Sequence, residues 1–280
     1  MLVATGDLVA AAQQAGGAAL AFNVITLEHA EAIAAAAARA DRPAILQISH
    51  NAVRYHGAVQ PIAAAGRAVA EASPAKLALH LDHVEDAGLL HQAADAGFGS
   101  AMFDAGARPY AENVAATKAA SDWAHAHGLW LEAELGYVGG KEDAPASAHA
   151  AGVRTDPDEA AAYVAATGVN ALAVAVGSSH AMTARTATLD HDLINRIRAA
   201  VPVPLVLHGS SGVPDDELHA AIAAGIAKIN IGTALNVAFT AGLRAALDDR
   251  IDPRRYLAGA RDATADAVER LLREFAAPVG

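Results

Sequence analysis

Eight short apolar segments alternate with alanine-rich stretches along the chain, and this alternation restricts the fold more than any other feature. The segments are predicted strands at residues 18–24, 44–48, 77–82, 100–103, 129–134, 171–176, 205–208 and 228–231. Most are continuously apolar, which is typical of parallel strands that are buried on both faces. Eight strand–helix units with short connections favour a closed (β/α)8 barrel over an open doubly wound sheet.

Residues typical of helix ends lie between the predicted strands. Asp190 and Asp215 stand near helix starts, and residues 156–159 (Asp-Pro-Asp-Glu) open another helix. The tail, residues 252–280, is predicted as one further helix outside the eightfold repeat. Parallel barrels of about 250 residues usually form one domain. We therefore expect residues 1–280 to fold as a single α/β domain, a TIM barrel with an extra C-terminal helix.

Composition and charge exclude several classes of function. The chain has no cysteine, so a metal site must use histidine and carboxylate ligands. The net charge of −11 argues against nucleic-acid binding. Residues 1–20 lack the basic flank of a signal peptide, and no uninterrupted apolar run is long enough to predict a membrane span. We expect a cytoplasmic protein with neither nucleic-acid nor membrane partners.

Polar residues collect at the C-terminal ends of the predicted strands. They are His80, Asp82 and His83 at the third strand, Asp104 at the fourth, Glu132 and Glu134 at the fifth, Ser178, Ser179 and His180 at the sixth, His208 at the seventh and Asn230 at the eighth. In a (β/α)8 barrel these ends meet at one mouth, where active sites lie. The sequence therefore predicts one polar site at this mouth.

Three histidines at this mouth predict a metal centre. Three imidazoles with an open fourth position are the ligand set of a catalytic zinc ion. Each of His83, His180 and His208 alone is more simply a structural histidine, but their joint position beside carboxylates favours metal binding. His80 is expected to pack or to support a ligand as readily as to bind. Asp82 is predicted to transfer a proton near the metal, or to cap the following helix.

Glycine-rich turns follow the last two strands. The turns contain Gly209, Ser210, Ser211 and Gly212 after the seventh strand, and Gly232 and Thr233 after the eighth. Small residues with open backbone N–H groups at helix starts form anion cradles, and barrels often hold phosphate here. A long segment, residues 136–155, follows the fifth strand, and its length predicts a functional or mobile loop.

The chain resembles the class II fructose-bisphosphate and tagatose-bisphosphate aldolase family in motifs spread over nearly its whole length. The matching segments are AFNV at 21–24, HLDH at 80–83, EAELG at 132–136, GGKED at 139–143, AVAVG at 173–177, LHG at 207–209, KIN at 228–230 and DPR at 252–254. No segment is specific alone, but the combination is. The resemblance implies an oligomeric, metal-dependent barrel enzyme, a homodimer or homotetramer, that cleaves a phosphorylated ketose.

The resemblance also implies roles for individual residues. His83, His180 and His208 are expected to bind a catalytic Zn²⁺ ion, and Asp104 and Glu134 match positions that hold a second or displaced metal in some members. Asp82 is expected to exchange a proton with the aldehyde oxygen, and Glu142 to act on the dihydroxyacetone phosphate proton. The implied substrate-binding residues are Asn23, Ser49, Ala181, Gly209, Ser210, Ser211, Asn230, Gly232, Thr233 and Arg254. Some members also respond to a monovalent cation, Na⁺ or K⁺.

Several residues depart from the family pattern near the phosphate groups. Ala181 follows a zinc histidine where glycine is common, and the lysine that often comes next is missing, with Arg185 as the nearest replacement. Ser210 stands where a smaller residue is common, and Ala234 where an acidic one is. These changes leave the reaction class better defined than the substrate.

Four hypotheses about the function remain open, and the first two differ only in the substrate. Fructose 1,6-bisphosphate is preferred on commonness alone, with tagatose 1,6-bisphosphate or another phosphorylated ketose as alternatives. A metal-dependent barrel hydrolase would use metal-activated water instead, but the glycine-rich turns and Glu142 argue against it. A non-catalytic partner subunit of an aldolase complex would have no need of Asp82, Glu142 and all three histidines.

Overall fold

Eight parallel strands close into a barrel in which every strand pairs with its neighbours in chain order. The strands are β1 (Ala19–Asn23), β2 (Ala44–Ser49), β3 (Leu77–Val84), β4 (Ser100–Phe103), β5 (Trp130–Leu135), β6 (Ala171–Val174), β7 (Leu205–Leu207) and β8 (Ile226–Ile231). Pairing of β8 with β1 closes the barrel. This computed structural model describes residues 1–138 and 154–277. The predicted (β/α)8 fold is confirmed.

Helices follow the strands and cover the outside of the barrel. They are α1 (Thr5–Gln14), α2 (Leu27–Ala40), α3 (His50–His56), α4 (Val59–Ala72), α5 (Ala87–Leu90), α6 (Tyr110–Ala126), α7 (Pro157–Thr167), α8 (His191–Ala200), α9 (Asp215–Ala224), α10 (Thr233–Ala246) and α11 (Pro253–Phe275). The predicted extra C-terminal helix is α11, which packs against α10 and α2. Within the described ranges, no helix is both long enough and apolar enough to cross a membrane.

Two of the three predicted helix starts have an aspartate side chain that accepts hydrogen bonds from backbone N–H groups. Asp156 accepts from the amides of Asp158 and Glu159 before α7, and Asp190 accepts from the amide of Leu193 before α8. These contacts satisfy N–H groups that have no partner inside the helix. At α9 the cap is Pro214, and Asp215 is the first helical residue.

Alternate residues of the strands face two different apolar regions. Leu20, Phe22, Leu46 and their equivalents on other strands pack in the layer between the barrel and its helices. Inward residues are smaller at the N-terminal end of the barrel, where they include Ala19, Ala21, Ile45 and Ala78, and they pack against Leu8, Val9 and Ala12 of α1. The first helix therefore occupies the end of the barrel opposite the polar strand ends.

The barrel interior becomes polar toward the C-terminal ends of the strands. Gln47, His80, Glu132 and Lys228 are all buried at strand positions above the apolar end. Polar groups buried this deeply need partners inside the protein, because unpaired polar groups away from water cost free energy. Their partners determine how the mouth of the barrel is built.

Loss of packing beneath the barrel should lower stability without removing the site. Leu8 is 3% exposed, so Leu8→Ala should lower the free energy of unfolding by about 2–5 kcal/mol, because it leaves a cavity. Leu247→Ala is a matched control, since Leu247 is 56% exposed and its truncation should change stability by less than about 0.5 kcal/mol. Denaturant unfolding measures both. Equal effects of the two substitutions would contradict the packing of α1 against the N-terminal end of the barrel.

Candidate metal centre and active site

A cavity of about 980 Å³ opens at the C-terminal ends of the strands. Most residues predicted at the mouth line it: Asn23, Ser49, Asp82, His83, Asp104, Glu134, His180, Ala181, Gly209, Ser210, Ser211, Asn230, Gly232 and Thr233. They come from five of the eight strands and from the turns that follow strands. The closed barrel therefore brings together residues that are far apart in the chain, as its topology requires.

Four potential ligands converge in this cavity: His83, Glu134, His180 and His208. One ligand atom of each lies within 4.8 Å of the others, and the three imidazole centroids are 4.8–5.9 Å apart. Tetrahedral zinc with bonds near 2.0–2.1 Å separates its ligand atoms by about 3.4 Å, so small rotations of the side chains suffice. Three imidazoles and a carboxylate suit a divalent transition metal, and the residues fit such an ion.

His208 lies at the bottom of this group, with no exposed surface. Its Nε2 is 2.9 Å from Oε1 of Glu132, and its Nδ1 is 3.1 Å from Oε2 of Glu134. Burial opposes a charge on the ring, but the hydrogen bonds to the two carboxylates outweigh it and raise the pKa of His208 to about 10. Before metal binds, the ring is therefore an imidazolium that donates from Nε2 to Glu132 and has Nδ1 within ion-pair distance of Glu134.

Glu132 and Lys228 form a buried ion pair under the metal group. Nζ of Lys228 is 2.8 Å from Oε2 of Glu132, and neither side chain is exposed. Burial acts to raise the pKa of Glu132, but Lys228 and His208 lower it well below its usual range. Neither residue was predicted from the sequence to have a role. A signal was present, because Lys228 interrupts an apolar strand and Glu132 shares a strand face with Glu134.

Asp104 contacts a histidine of the group rather than joining the group. Its Oδ2 is 3.1 Å from Nδ1 of His83, and its Oδ1 accepts from the amide of Gly106 at 3.0 Å. Burial lowers the pKa of His83, but the charge of Asp82 and the hydrogen bond that His83 donates to Asp104 raise it overall. A carboxylate behind a histidine fixes which ring nitrogen faces the metal.

Two residues beside the metal group adopt left-handed backbone conformations. His83 has φ = 50° and Ala181 has φ = 59°. Such conformations cost non-glycine residues free energy, and they persist where surrounding contacts require them. The family commonly has glycine at this position, and the left-handed backbone favours glycine. In this chain Ala181 adopts that conformation instead.

Asp82 lies within β3 and does not cap a helix, since Asp86 caps α5. Its Oδ2 accepts from Nε2 of Gln47 at 3.1 Å, and the same Nε2 contacts Oδ1 of Asn23 at 2.8 Å. Within the described part of the chain, Oδ1 of Asp82 has no hydrogen-bond partner. Gln47, which was not predicted from the sequence, thus positions two residues of the cavity.

His80 packs inside the barrel and does not belong to the metal group. Its Nδ1 is 2.8 Å from the Ser100 hydroxyl, which in turn is 2.6 Å from the Thr5 hydroxyl. Complete burial, with Lys228 nearby, holds the pKa of His80 well below its usual range. Of the two roles left open for His80, the structure supports packing.

The two glycine-rich turns are joined by hydrogen bonds at one side of the cavity. The Ser210 hydroxyl donates to the Asn230 carbonyl at 2.6 Å, and the Ser211 hydroxyl accepts from the Ala234 amide at 3.1 Å. A side chain at Gly209 would place its Cβ 2.6 Å from the Ser179 carbonyl carbon, so the two loops approach too closely for any other residue. Residues of both turns line the wall of the cavity.

Some predicted residues lie elsewhere. Arg254 is at the start of α11, where it pairs with Asp252 and does not line the cavity. Arg185 is bound to the Val213 carbonyl and to Asp215, so it does not replace the missing lysine at the cavity. The arginines that do line the cavity are Arg54 and Arg108, neither of which was predicted. Glu142, the GGKED segment and most of the predicted loop 136–155 lie outside the described residues.

Comparison with known proteins agrees with this geometry. The family model "Fructose-bisphosphate aldolase class-II" matches residues 3–278. A Bacillus subtilis (strain 168) protein named "Probable fructose-bisphosphate aldolase" is 38% identical over 280 residues, which cover 98% of this chain and 97% of that protein. The chain belongs to the class II fructose-bisphosphate aldolase family.

Solved structures agree with the fold. The crystal structure of the YdjI aldolase from Escherichia coli K12 is 30% identical, with a TM-score of 0.86 over 99% of this chain and 98% of that one. Fructose-bisphosphate aldolase (Fba) from Campylobacter jejuni has a TM-score of 0.83 over 100% of this chain and 97% of that one. Its identity of 21% means that this second likeness shows the fold alone.

The pKa of His208 makes metal affinity depend on pH. A metal that binds Nδ1 must displace the proton held there up to about pH 10. Affinity for Zn²⁺ should therefore rise with pH through the neutral range, by about tenfold per pH unit for each proton released. Competition with a chelator between about pH 6 and pH 8 measures this slope. His219→Gln alters an exposed histidine paired with Glu274 and should leave the slope unchanged; a flat profile in the unaltered protein would contradict the assignment.

Proposed function

We propose that this protein is a zinc-dependent class II aldolase that reversibly cleaves fructose 1,6-bisphosphate to dihydroxyacetone phosphate and glyceraldehyde 3-phosphate. The observation that carries the proposal is the convergence of His83, Glu134, His180 and His208 beside the carboxylate of Asp82, whose Oδ2 is 4.0 Å from Nε2 of His83. Family membership supports a metal-dependent reaction on a phosphorylated sugar. The choice of zinc follows from the three imidazoles and the absence of thiolates.

The protein's own residues move the protons of the reaction. Zinc, when bound, supplies Lewis-acid stabilisation of the negative charge that develops on substrate oxygens. Asp82 accepts the C4 hydroxyl proton as the C3–C4 bond breaks, and the bonding electrons stay on C3. Glu142, in its acid form, then protonates C3 to give dihydroxyacetone phosphate. In the condensation direction the same groups act in reverse.

The phosphate of the dihydroxyacetone phosphate half is expected at the two glycine-rich turns. Gly209, Ser211 and Thr233 line the cavity there, and α10 begins at Thr233 with a glycine cap. Backbone N–H groups at a helix start attract anions, which offsets the overall charge of −11. Arg254 is proposed to reach the second phosphate across a subunit interface of a homodimer or homotetramer, and Na⁺ or K⁺ is proposed as an additional ion.

A substitution of Asp82 separates proton transfer from metal binding, because Asp82 is not one of the four converging ligands. Asp82→Asn should retain Zn²⁺ but lower kcat by about 10²–10⁴-fold, because it removes the proton acceptor and keeps the side-chain shape. His208→Ala should lose Zn²⁺ and activity together. Metal analysis of each purified variant and steady-state cleavage assays measure these effects. An Asp82→Asn variant with unchanged kcat would exclude its assigned role.

A direct assay distinguishes the proposed substrate from its alternatives. The zinc-loaded protein should cleave fructose 1,6-bisphosphate and lose this activity when a chelator removes the metal. Parallel assays with tagatose 1,6-bisphosphate test the C4 epimer; comparable rates would indicate a promiscuous aldolase. Cleavage of neither sugar would contradict the proposed substrate. Release of inorganic phosphate without retro-aldol products would favour a metal-dependent hydrolase.

A further inference from the structure

Lys228 connects the metal group with the substrate side of the cavity. Its Nζ lies 2.8 Å from Oε2 of Glu132 and 2.8 Å from Oδ1 of Asn230, and the side chain has no exposed surface. A lysine ammonium has three donors and no acceptor. Both neighbours must therefore present an oxygen to it, so Lys228 determines how each of them is oriented.

The first consequence concerns the metal. With one oxygen held by Lys228, Glu132 presents its other oxygen, Oε1, to Nε2 of His208 at 2.9 Å. A carboxylate only accepts, so the proton of this imidazole is held on Nε2. Nδ1 is then the ring nitrogen left for a cation, and it faces Glu134 in the metal group. Contacts behind a ligand set its orientation and its ring proton in this way.

The second consequence concerns the substrate. Because Oδ1 of Asn230 faces the ammonium, the amide nitrogen Nδ2 is turned the other way. Asn230 is 7% exposed and lines the cavity, and Nδ2 has no hydrogen-bond partner among the residues that the structure describes. A buried donor without a partner costs free energy. A substrate oxygen placed in the cavity would supply that partner.

We propose that Lys228 is a positioning residue that directs Nδ1 of His208 toward the metal through Glu132 and turns the amide nitrogen of Asn230 toward the substrate. One buried cation thus orients a metal ligand and a substrate donor at the same time. The part of the proposal that concerns Asn230 rests on the proposed function, because it assumes the proposed substrate. The part that concerns His208 requires only that a metal ion binds at the four converging ligands.

A pair of variants tests the metal half. In Glu132→Gln the ammonium of Lys228 should bind the amide oxygen of the new glutamine. The NH₂ group of that glutamine is then turned toward Nε2 of His208. That contact requires a proton on Nδ1 instead, so affinity for Zn²⁺ should fall about 10–100-fold. Adding Lys228→Met frees the amide to rotate and to accept from Nε2. The double variant Glu132→Gln/Lys228→Met should therefore regain most of the lost affinity.

Recovery in the double variant is the result that a merely structural lysine does not predict. If Lys228 only filled space or balanced charge, its removal would leave affinity as low as in Glu132→Gln, or lower. Competition between the protein and a chelator for Zn²⁺ measures affinity, and the visible spectrum of the Co²⁺-loaded protein reports ligand geometry. Lys118→Met removes an exposed lysine paired with Asp122 and should change neither. A double variant no better than the single one would overturn the proposal.

The substrate half is tested with the zinc-loaded double variant. Without Lys228 the amide of Asn230 is no longer held with its nitrogen toward the cavity, so the Kd for dihydroxyacetone phosphate should rise about tenfold or more. Calorimetric titration at saturating zinc measures it, and an unchanged Kd would refute this half. If the unaltered zinc protein fails to bind dihydroxyacetone phosphate, that result contradicts both the proposed function and the role of Asn230. The Zn²⁺ affinities of the single and double variants still decide whether Lys228 acts on His208.

Discussion

An ammonium and a carboxylate buried inside a barrel lose their hydration, and only contacts with each other and with further polar groups offset that loss. In this protein the pair is Lys228 and Glu132, and both have second partners, Asn230 and His208. Those partners belong to the cavity above. The requirement to satisfy a buried charge pair is therefore also what orients the deepest ligand of the metal group and one donor of the substrate site.

The barrel and most of its mouth could be predicted from the sequence because topology determines where strand ends lie. Eight apolar segments were enough to expect closure, and closure places His83, His180 and His208 at one end although nearly 100 residues separate the first two. The positions of Asp82 and of the two glycine-rich turns at the mouth of the barrel follow from the same rule. Segment boundaries shifted by a few residues, but no strand was missed within the described ranges.

The supporting contacts could not be predicted, because they depend on which interior side chains stand at the same level of a twisted barrel. Strand order does not show that Gln47 reaches both Asn23 and Asp82, or that Asp104 contacts His83 rather than standing alone. Arg185 was the nearest cation in sequence, yet an acidic residue at the start of α9 binds it away from the cavity. Long side chains are directed by their local partners, which sequence spacing does not identify.

Helix α1 closes one end of the barrel, and the cavity opens at the other end. Because its apolar face fills the N-terminal end of the barrel, the proposed zinc ion and the proposed sugar phosphate would both enter the cavity from the C-terminal ends of the strands. His208, the deepest of the four potential ligands, has no exposed surface, so a sugar bound above it would lie between the ion and solvent. On the proposed function, the metal would therefore exchange more slowly while substrate is bound than in the substrate-free protein.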